Sequence, residues 1–354
     1  MKSGLGYKAW HYIYLCALVL LAPVTGLSII LHEGGEPNLL TWADKPANAV
    51  VGRWSTNASF VVVFPKWILT TRHQNTSPAT VDINGVTYNC IYNSQWVGGG
   101  STNNADIRLI RLKNLDGSDP NLVDYAAPYT TTDEILKQGA YIAIGGYGRG
   151  RENTLYSAFQ PSVAYGYTWG TGDNYNNNTL RWCTNIIEEN TSDVIIARFN
   201  DHGNTPPNTQ YEGIPAEYDS GGGWFIKVGT VWQTVGLTHG VEPHGSPWPQ
   251  AGQSWYSDPN TGTYPDTDGM DAVRISSYAA WINKIIFDDC PVGDLDGDCK
   301  VDILDLAEFA TQWLHTDCAS GNNFCQWADI QPDGKVNIID FAFFAQNWLA
   351  DKSL

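Results

Sequence analysis

The sequence predicts a mostly β domain followed by a small helical module. Residues 27–288 contain short runs of β-branched and aromatic residues separated by Gly, Asn, Pro and Ser clusters, a pattern typical of a barrel or a sandwich. Beyond Cys290 the chain repeats itself, because Asp294–Leu314 and Asp329–Leu349 align at an offset of 35 residues. Each copy has an Asp-rich loop followed by an amphipathic helical pattern, which indicates one duplicated supersecondary unit.

The charge of the chain excludes some classes of partner. The 354 residues include 37 Asp and Glu against 20 Lys and Arg, a formal net charge of −17. Nucleic acid and anionic lipid both require basic footprints, so neither is expected as the main partner. Residues 290–354 alone hold 11 Asp and Glu and 3 Lys, which indicates that the C-terminal module has a use for carboxylates.

The N-terminus has the pattern of a secretory signal peptide. Lys2 and Lys8 precede an apolar run from Tyr12 to Leu21, which is shorter than the roughly 20 residues that cross a bilayer. We expect a signal peptide over residues 1–26, cleaved near Gly26, although a buried N-terminal helix or strand is an alternative. The mature protein is expected to carry no membrane span and to be exported, to the periplasm, the cell surface or the medium.

The β domain is expected to contain a series of short strands and one closing helix. The predicted strands are Ser59–Phe64, Trp67–Thr70, Asp106–Leu112, Ala140–Ile144, Val194–Phe199, Trp224–Val228 and Val231–Leu237. The helix follows from Val273, Tyr278, Trp281 and Ile285, which fall close to one helical face, with Ser276 or Ser277 as its N-cap.

Six cysteines remain after the predicted signal peptide, and an exported chain permits disulfides between them. Cys318 and Cys325 are close in sequence and are the expected pair. Six cysteines allow 15 pairings, so the partners of Cys90, Cys183, Cys290 and Cys299 stay open.

The two Asp-rich loops have the ligand spacing of calcium sites, with oxygen side chains at positions 1, 3, 5, 9 and 12 and a backbone carbonyl at position 7. The expected ligands of two calcium ions are Asp294, Asp296, Asp298, Lys300, Asp302 and Asp305 in the first loop, and Asp329, Gln331, Asp333, Lys335, Asn337 and Asp340 in the second. Val301 and Val336 at position 8 are expected to pair the two loops through a short β contact.

Residues 289–354 resemble the dockerin family, because the duplicated loops have Asp at position 12 and no helix precedes either loop. The resemblance implies calcium-dependent folding and docking onto a cohesin-like partner. The family's contact positions, 10 and 11, correspond to Ile303 and Leu304 in the first copy and to Ile338 and Ile339 in the second. Two positions depart from the family pattern: Cys299 stands where a glycine is usual, and Gln331 is a weaker ligand than Asp.

Three segments of the β domain supply chemistry in the order His, Asp, Ser. They are Trp67–Gln74 with His73, Asn104–Leu112 with Asp106, and Glu217–Trp224 with Ser220. A serine hydroxyl becomes nucleophilic when a histidine takes its proton, and a carboxylate orients that histidine. Glycines after Ser220 permit a tight turn beside an oxyanion site.

These segments resemble those of the trypsin-like serine proteases, over about residues 50–287. The resemblance implies a chymotrypsin-like fold of two six-stranded barrels, with His73, Asp106 and Ser220 as a catalytic triad in the cleft. It also implies an oxyanion hole formed by the N–H groups of Tyr218 and Ser220. The substrate-binding positions that it implies are Ile214, Thr238, His239 and Gly240.

The chain also departs from the protease pattern. Tyr218 replaces the usual oxyanion-hole glycine, and Gln74 replaces a cysteine. No activating N-terminus is evident for Asp219. The leading hypothesis is an exported serine endopeptidase that acts on protein or peptide substrates and needs no cofactor for catalysis. A catalytically inactive protease-fold binding protein and a structural surface component are the alternatives.

Overall fold

The computed structural model describes residues 29–32, 39–74, 76–98, 105–136, 141–170, 179–200, 209–242, 252–256, 267–288, 290–318, 323–331 and 333–352. The predicted signal peptide, residues 1–26, lies outside the described residues. No helix in these ranges is long and apolar enough to cross a bilayer.

The described part of the chain up to Arg274 contains eighteen β-strands. In chain order they are β1 (Ile30–Leu31), β2 (Val51–Trp54), β3 (Ala58–Phe64), β4 (Trp67–Thr70), β5 (Thr80–Ile83), β6 (Val86–Ile91), β7 (Arg108–Lys113), β8 (Tyr141–Gly146), β9 (Arg151–Tyr156), β10 (Ala164–Trp169), β11 (Arg181–Ile186), β12 (Glu189–Asn190), β13 (Val194–Arg198), β14 (Gly213–Ile214), β15 (Gly223–Val228), β16 (Val231–Glu242), β17 (Gln253–Trp255) and β18 (Gly269–Arg274).

The first large sheet has six antiparallel strands in the order β2-β3-β4-β7-β6-β5. Its edge strands β2 and β5 contact each other, so the sheet curls into a barrel-like shape. All seven residues of β3 are buried, because one face lines the inside of this sheet around Phe60 and the other packs toward the second sheet around Val61.

The second large sheet has seven antiparallel strands in the order β11-β8-β15-β16-β18-β13-β12. It also curls, since β11 contacts β13 across the sheet. Two small sheets complete the domain: β1 pairs with β14, and β10 lies between β9 and β17. The prediction of a mostly β domain with barrel-like sheets is confirmed, and each predicted strand lies within a few residues of an observed one.

The helices are α1 (Ala279–Asp288), α2 (Ile303–Gln312), α3 (Asn323–Gln326) and α4 (Ile338–Gln346), of which α3 is a single turn with left-handed Phe324 and Cys325. Helix α1 closes the β domain as predicted. However, neither predicted serine caps it: the Ser276 hydroxyl donates to Glu134, and the Ser277 hydroxyl donates to the carbonyl of Ser192.

The C-terminal module has its own core, in which Val301, Val336, Phe309 and Phe344 are buried together. The expected pairing of Val301 with Val336 is wrong. The Val301 N–H donates to the Ala350 carbonyl at 2.9 Å, and the Val336 N–H donates to the His315 carbonyl at 2.9 Å. Each loop therefore pairs with the segment that follows the other copy's helix.

Two disulfides lie in the module. Cys318–Cys325 is the pair expected from the sequence, and Cys290–Cys299 joins the start of the module to its first loop. Cys90 and Cys183 are buried free thiols in the β domain.

Candidate functional site

The two large sheets bring together His73, Asp106 and Ser220. His73 follows β4, Asp106 precedes β7, and Ser220 lies in the turn between β14 and β15. Ser220 Oγ lies 3.0 Å from His73 Nε2, and His73 Nδ1 contacts Asp106 Oδ2. The three side chains predicted from the sequence to form a triad are thus connected by hydrogen bonds.

Asp106 is fixed as an ionised carboxylate. Its Oδ1 accepts the backbone N–H of His73 at 2.6 Å. Burial raises the pKa of Asp106, but the hydrogen bonds and positive charge of His73 outweigh burial and leave that pKa below its ordinary value. A carboxylate that stays ionised holds the imidazole in the tautomer that presents Nε2 to the serine.

The turn that carries Ser220 is clamped between the two sheets. Ser59 N–H on β3 donates to the Ser220 carbonyl at 2.8 Å, and Gly221 N–H donates to the Thr238 carbonyl on β16 at 2.8 Å. Gly221 has φ +80°, and a Cβ there would lie 2.3 Å from the Ser59 carbonyl oxygen. Only glycine fits this position, which explains the residue that follows the serine.

Tyr218 takes a glycine-like backbone conformation, with φ +76°. A left-handed L-residue costs about 1–2 kcal/mol. The Arg149 guanidinium lies 5.0 Å from the centre of the Tyr218 ring and pairs with Glu217 at 2.8 Å, which helps to hold this loop. The backbone N–H of Tyr218 is retained, although the residue is not glycine.

Asp219 is buried beneath the turn and orders it. Its carboxylate accepts the N–H groups of Gly148 at 2.6 Å and Ala216 at 2.8 Å. Burial raises its pKa to about 7, while those N–H groups, Arg181 and the backbone of Ile29 lower it. The sequence offered no evident partner for Asp219 near the N-terminus, whereas the structure places the Ile29 backbone there.

Gln74, which stands where the protease pattern has a cysteine, is a direct neighbour of His73 in the site. Its side chain is nearly buried, and its amide nitrogen lies 2.8 Å from His73 Nε2. A neutral imidazole offers one lone pair, so the Gln74 amide and the Ser220 hydroxyl compete for the same acceptor. No local motif predicts this contact, because the direction of the Gln74 side chain depends on the folded backbone.

The residues expected to bind substrate lie in two different environments. Thr238, His239 and Gly240 are in β16, next to the triad, and His239 and Gly240 are partly exposed. Ile214 is only 1% exposed, because β14 pairs with β1 and packs its side chain into the core. In this structure Ile214 therefore offers almost no surface to a substrate.

The first Asp-rich loop gathers three carboxylates close together. Asp294, Asp296 and Asp298 each have an oxygen within 4.8 Å of the others. Burial, followed by the neighbouring carboxylates, raises the pKa of Asp294 to about 8 and that of Asp296 to about 7. Hard oxygen ligands on one loop with this mutual repulsion fit a calcium ion.

Hydrogen bonds and a left-handed turn hold the backbone of this loop in a curved conformation. Asp305 is fully buried and accepts the N–H groups of Leu295 at 2.6 Å and Asp296 at 3.2 Å. Cys299 has φ +63°, the conformation that Gly334 takes in the second loop with φ +86°. The cysteine thus adopts the glycine-like turn, and its disulfide anchors it.

The second loop has the same pattern of hydrogen bonds. The Asp329 carboxylate accepts the N–H groups of Asp333 and Gly334 at 3.1 and 3.0 Å, and Asp340 accepts the N–H groups of Gln331 and Asn337 at 2.9 and 2.8 Å. The side chains of Asp333 and Gln331 are exposed. At position 7 of the two loops, the N–H groups of Lys300 and Lys335 donate to the carboxylates of Asp298 and Asp333.

Positions 9 and 12 of each loop also have a structural role at the start of the following helix. Asp302 and Asn337 are the N-caps of α2 and α4, and each forms a capping box with Asp305 or Asp340. The box satisfies N–H groups at the helix start. Each helix therefore begins where its loop ends.

The positions expected to contact a partner lie on the surface of the module. Ile303 and Leu304 begin α2, and Ile338 and Ile339 begin α4. All four are exposed, Ile303 and Ile338 at 64% and 67%. Such exposed apolar groups at equivalent places of a duplicated unit indicate an interaction surface.

Comparison with known proteins supports the C-terminal interpretation. Residues 292–347 match the Dockerin type I domain. Dockerin type I domains bind calcium and dock onto cohesins, and the two loops of this part of the chain are consistent with a calcium-dependent docking module. No curated protein matches the chain.

Proposed function

We propose that the β domain is a serine endopeptidase that the dockerin module tethers to a partner. The observation that carries the proposal is the contact chain from Ser220 Oγ through His73 to Asp106. A hydroxyl 3.0 Å from an imidazole nitrogen is within reach of proton transfer.

The proposed reaction uses these groups in turn. Ser220 Oγ bonds to the carbonyl carbon of a peptide while its proton passes to His73 Nε2. The C–N bond then breaks, and His73 returns the proton to the leaving amine. Water attacks the resulting ester by the same route, with His73 again as the base, and releases the acid and free Ser220.

The negative oxygen that forms during attack requires donors. The N–H groups of Ser220 and Tyr218 are the proposed pair, and the positive φ of Tyr218 is what a glycine would supply at this place. Fixed backbone donors stabilise such an oxygen without reorganisation.

A fluorophosphonate reagent tests the proposal directly, since it forms a covalent adduct with an activated serine. Calcium-loaded full-length protein is expected to be labelled at Ser220, and the Ser220→Ala variant is not. Digestion of a peptide library by both proteins then reads the residues preferred on either side of the cleaved bond. Absence of an adduct on folded wild-type protein would reject the enzyme.

The dockerin module is proposed to bind a cohesin-like partner through Ile303, Leu304, Ile338 and Ile339. Two disulfides in the module fit an exported, extracellular or cell-surface location. Calorimetry with a recombinant cohesin module is expected to show binding in calcium and none in chelator. The double variant Ile303→Asp with Ile338→Asp is expected to weaken binding, whereas Val231→Asp, at an exposed site of the β domain, serves as the matched control.

A catalytically inactive binding protein is the second candidate. The observation that favours it is the amide of Gln74, which lies nearer to His73 Nε2 than Ser220 Oγ does. If the amide holds that nitrogen permanently, Ser220 lacks a base. The labelling experiment separates the two candidates.

A further inference from the structure

A second histidine–carboxylate pair lies against the triad. His239 Nδ1 is 2.7 Å from Asp271 Oδ2, and His239 Nε2 is 3.4 Å from Asp106 Oδ2. The rings of His73 and His239 meet edge to face with their centres 5.8 Å apart. Contacts thus run continuously from Asp271 through His239, Asp106 and His73 to Ser220.

The strand geometry explains why His239 points toward the triad. In the pairing of β16 with β18, Thr238 lies opposite Ala272 and Gly240 lies opposite Asp271, so His239 is an extra residue in β16. Such a bulge redirects a side chain. The Thr238 hydroxyl faces elsewhere and accepts the indole N–H of Trp224 at 3.0 Å. The residue before the bulge therefore does not support Asp106, and His239 does.

Both nitrogens of His239 face carboxylates. A neutral imidazole carries one N–H, so a proton on Nδ1 toward Asp271 leaves the Nε2 lone pair facing Asp106. Two like electron-rich atoms at 3.4 Å repel each other. A second proton removes this conflict, because an imidazolium donates from both nitrogens.

We infer that His239 is a positioning residue of the triad: as an imidazolium it bridges Asp271 and Asp106 and holds the Asp106 carboxylate in place for His73. This inference rests on the proposed protease function. The bridge gives Asp106 a hydrogen-bond donor in addition to those of His73. The alignment of the triad then depends on whether His239 carries its second proton.

The charged surroundings favour that proton. Asp271 approaches His239 from β18, Asp106 from the segment before β7, and His73 from the segment after β4. A cavity of about 360 Å³ that His239 and Asp106 line also contains Asp193 and Tyr278. Burial raises the pKa of Tyr278 to about 12, so it is neutral at ordinary pH. The carboxylates of Asp271 and Asp106 thus face the two nitrogens of His239, while the His73 ring lies beside it.

The rate of fluorophosphonate labelling of Ser220, measured against pH in saturating calcium, tests the inference. In the wild type the rate is expected to fall at alkaline pH, where the imidazolium of His239 is lost and the bridge to Asp106 opens. His239→Gln keeps an N–H donor that does not titrate, so it is expected to retain most of the rate and to lose the alkaline fall. His239→Leu removes the donor and is expected to slow labelling about 10- to 100-fold, as expected for one charge-assisted hydrogen bond.

Two further variants sharpen the result. Asp271→Asn removes the charge that favours the imidazolium, so the alkaline fall is expected to move to lower pH. His315→Gln makes the matched substitution at an exposed histidine of the dockerin module and is expected to follow the wild-type profile. An alkaline fall that persists in His239→Gln, or a wild-type rate in His239→Leu, would overturn the inference while leaving the protease proposal intact.

Nitrogen NMR of the histidine side chains tests the bridge independently of enzymatic activity, because it detects how many N–H groups the His239 ring carries. Two imidazole N–H signals from His239 at neutral pH are expected in full-length protein, and they disappear in His239→Gln. A single N–H on His239 refutes the bridge whether or not the protein cleaves anything. Wild-type protein that is never labelled refutes the protease, and the positioning role falls with it.

Discussion

Removing the side-chain amide of Gln74 is expected to accelerate the reaction of Ser220. The Gln74 amide lies 2.8 Å from His73 Nε2, and Ser220 Oγ lies 3.0 Å from the same atom. Because the nitrogen has one lone pair, the amide must leave before the serine proton can be taken. A neutral hydrogen bond contributes about 0.5–1.5 kcal/mol net, so its loss is expected to raise the rate about 2- to 13-fold.

Gln74→Met is the suitable variant, since methionine keeps the length of the side chain and has no N–H. The assay is the second-order rate constant of fluorophosphonate labelling in saturating calcium, with melting temperature as the check on folding. Gln74→Glu is a matched control, because it keeps the shape and exchanges the donor for an acceptor. An unchanged or slower rate in a Gln74→Met protein that melts normally would show that the amide does not compete with the serine in solution.

Three other changes have expected outcomes. Tyr218→Gly relieves the cost of φ +76° and keeps the N–H, so labelling is expected to be retained or faster; a loss of more than about tenfold would reject the oxyanion role of this backbone. Burial raises the pKa of Glu212 to about 8, so the folded state holds a proton that the unfolded state releases, and stability is lost as pH rises toward that value. Glu212→Gln is expected to remove this dependence of the melting temperature on pH, measured by calorimetry, and to lower the melting temperature at acidic pH, because its NH2 replaces an oxygen that accepts the N–H of Asn200 or Thr209. Calcium at 1,000 times its Kd is expected to stabilise the dockerin module by about 4 kcal/mol, and Asp305→Asn or Asp340→Asn, each measured by calcium titration, is expected to reduce binding in its own loop only.

Much of the β domain follows from local pattern. Alternating or continuous apolar runs between turn residues identify strands without knowledge of their partners. The run Ser59–Phe64 was predicted to be a strand, and Ala58–Phe64 is one. The pairing order of the two sheets was not accessible in this way, because it depends on contacts between distant parts of the chain.

The candidate site was predicted in part for the same reason. Each of His73, Asp106 and Ser220 stands in a recognisable short segment. The residues around them do not belong to such segments. His239 reaches Asp106 through a strand bulge, and that bulge depends on the register of β16 with β18. Asp271 supports it from that neighbouring strand. Nothing within a few residues of either position predicts their contact.

The C-terminal module shows a different limit. Its duplication predicted two equivalent loops, and ligand spacing predicted calcium for both. Val301 and Val336 occupy the same loop position, so the repeat predicts that they pair. The structure pairs each with the segment that follows the other copy's helix, since a twofold arrangement brings the start of one unit beside the end of its duplicate. A repeat identifies equivalent residues, but it does not establish that they touch.

The two loops are equivalent in sequence and different in surroundings. Gly297 of the first loop packs against the β domain, where an added Cβ would lie 3.1 Å from the ring of Phe64. Burial, followed by the charges of Glu308 and Asp296, raises the pKa of Tyr125 in the β domain to about 12. The second loop has exposed Asp333 and Gln331 instead. Calcium in the first loop would therefore neutralise carboxylates beside the β domain, whereas calcium in the second would act on the exposed side chains of Asp333 and Gln331 as well as on buried Asp329 and Asp340. The net charge of −17 is in this respect not a uniform property of the surface: a share of it is buried beside the β domain, where a divalent cation has the larger effect.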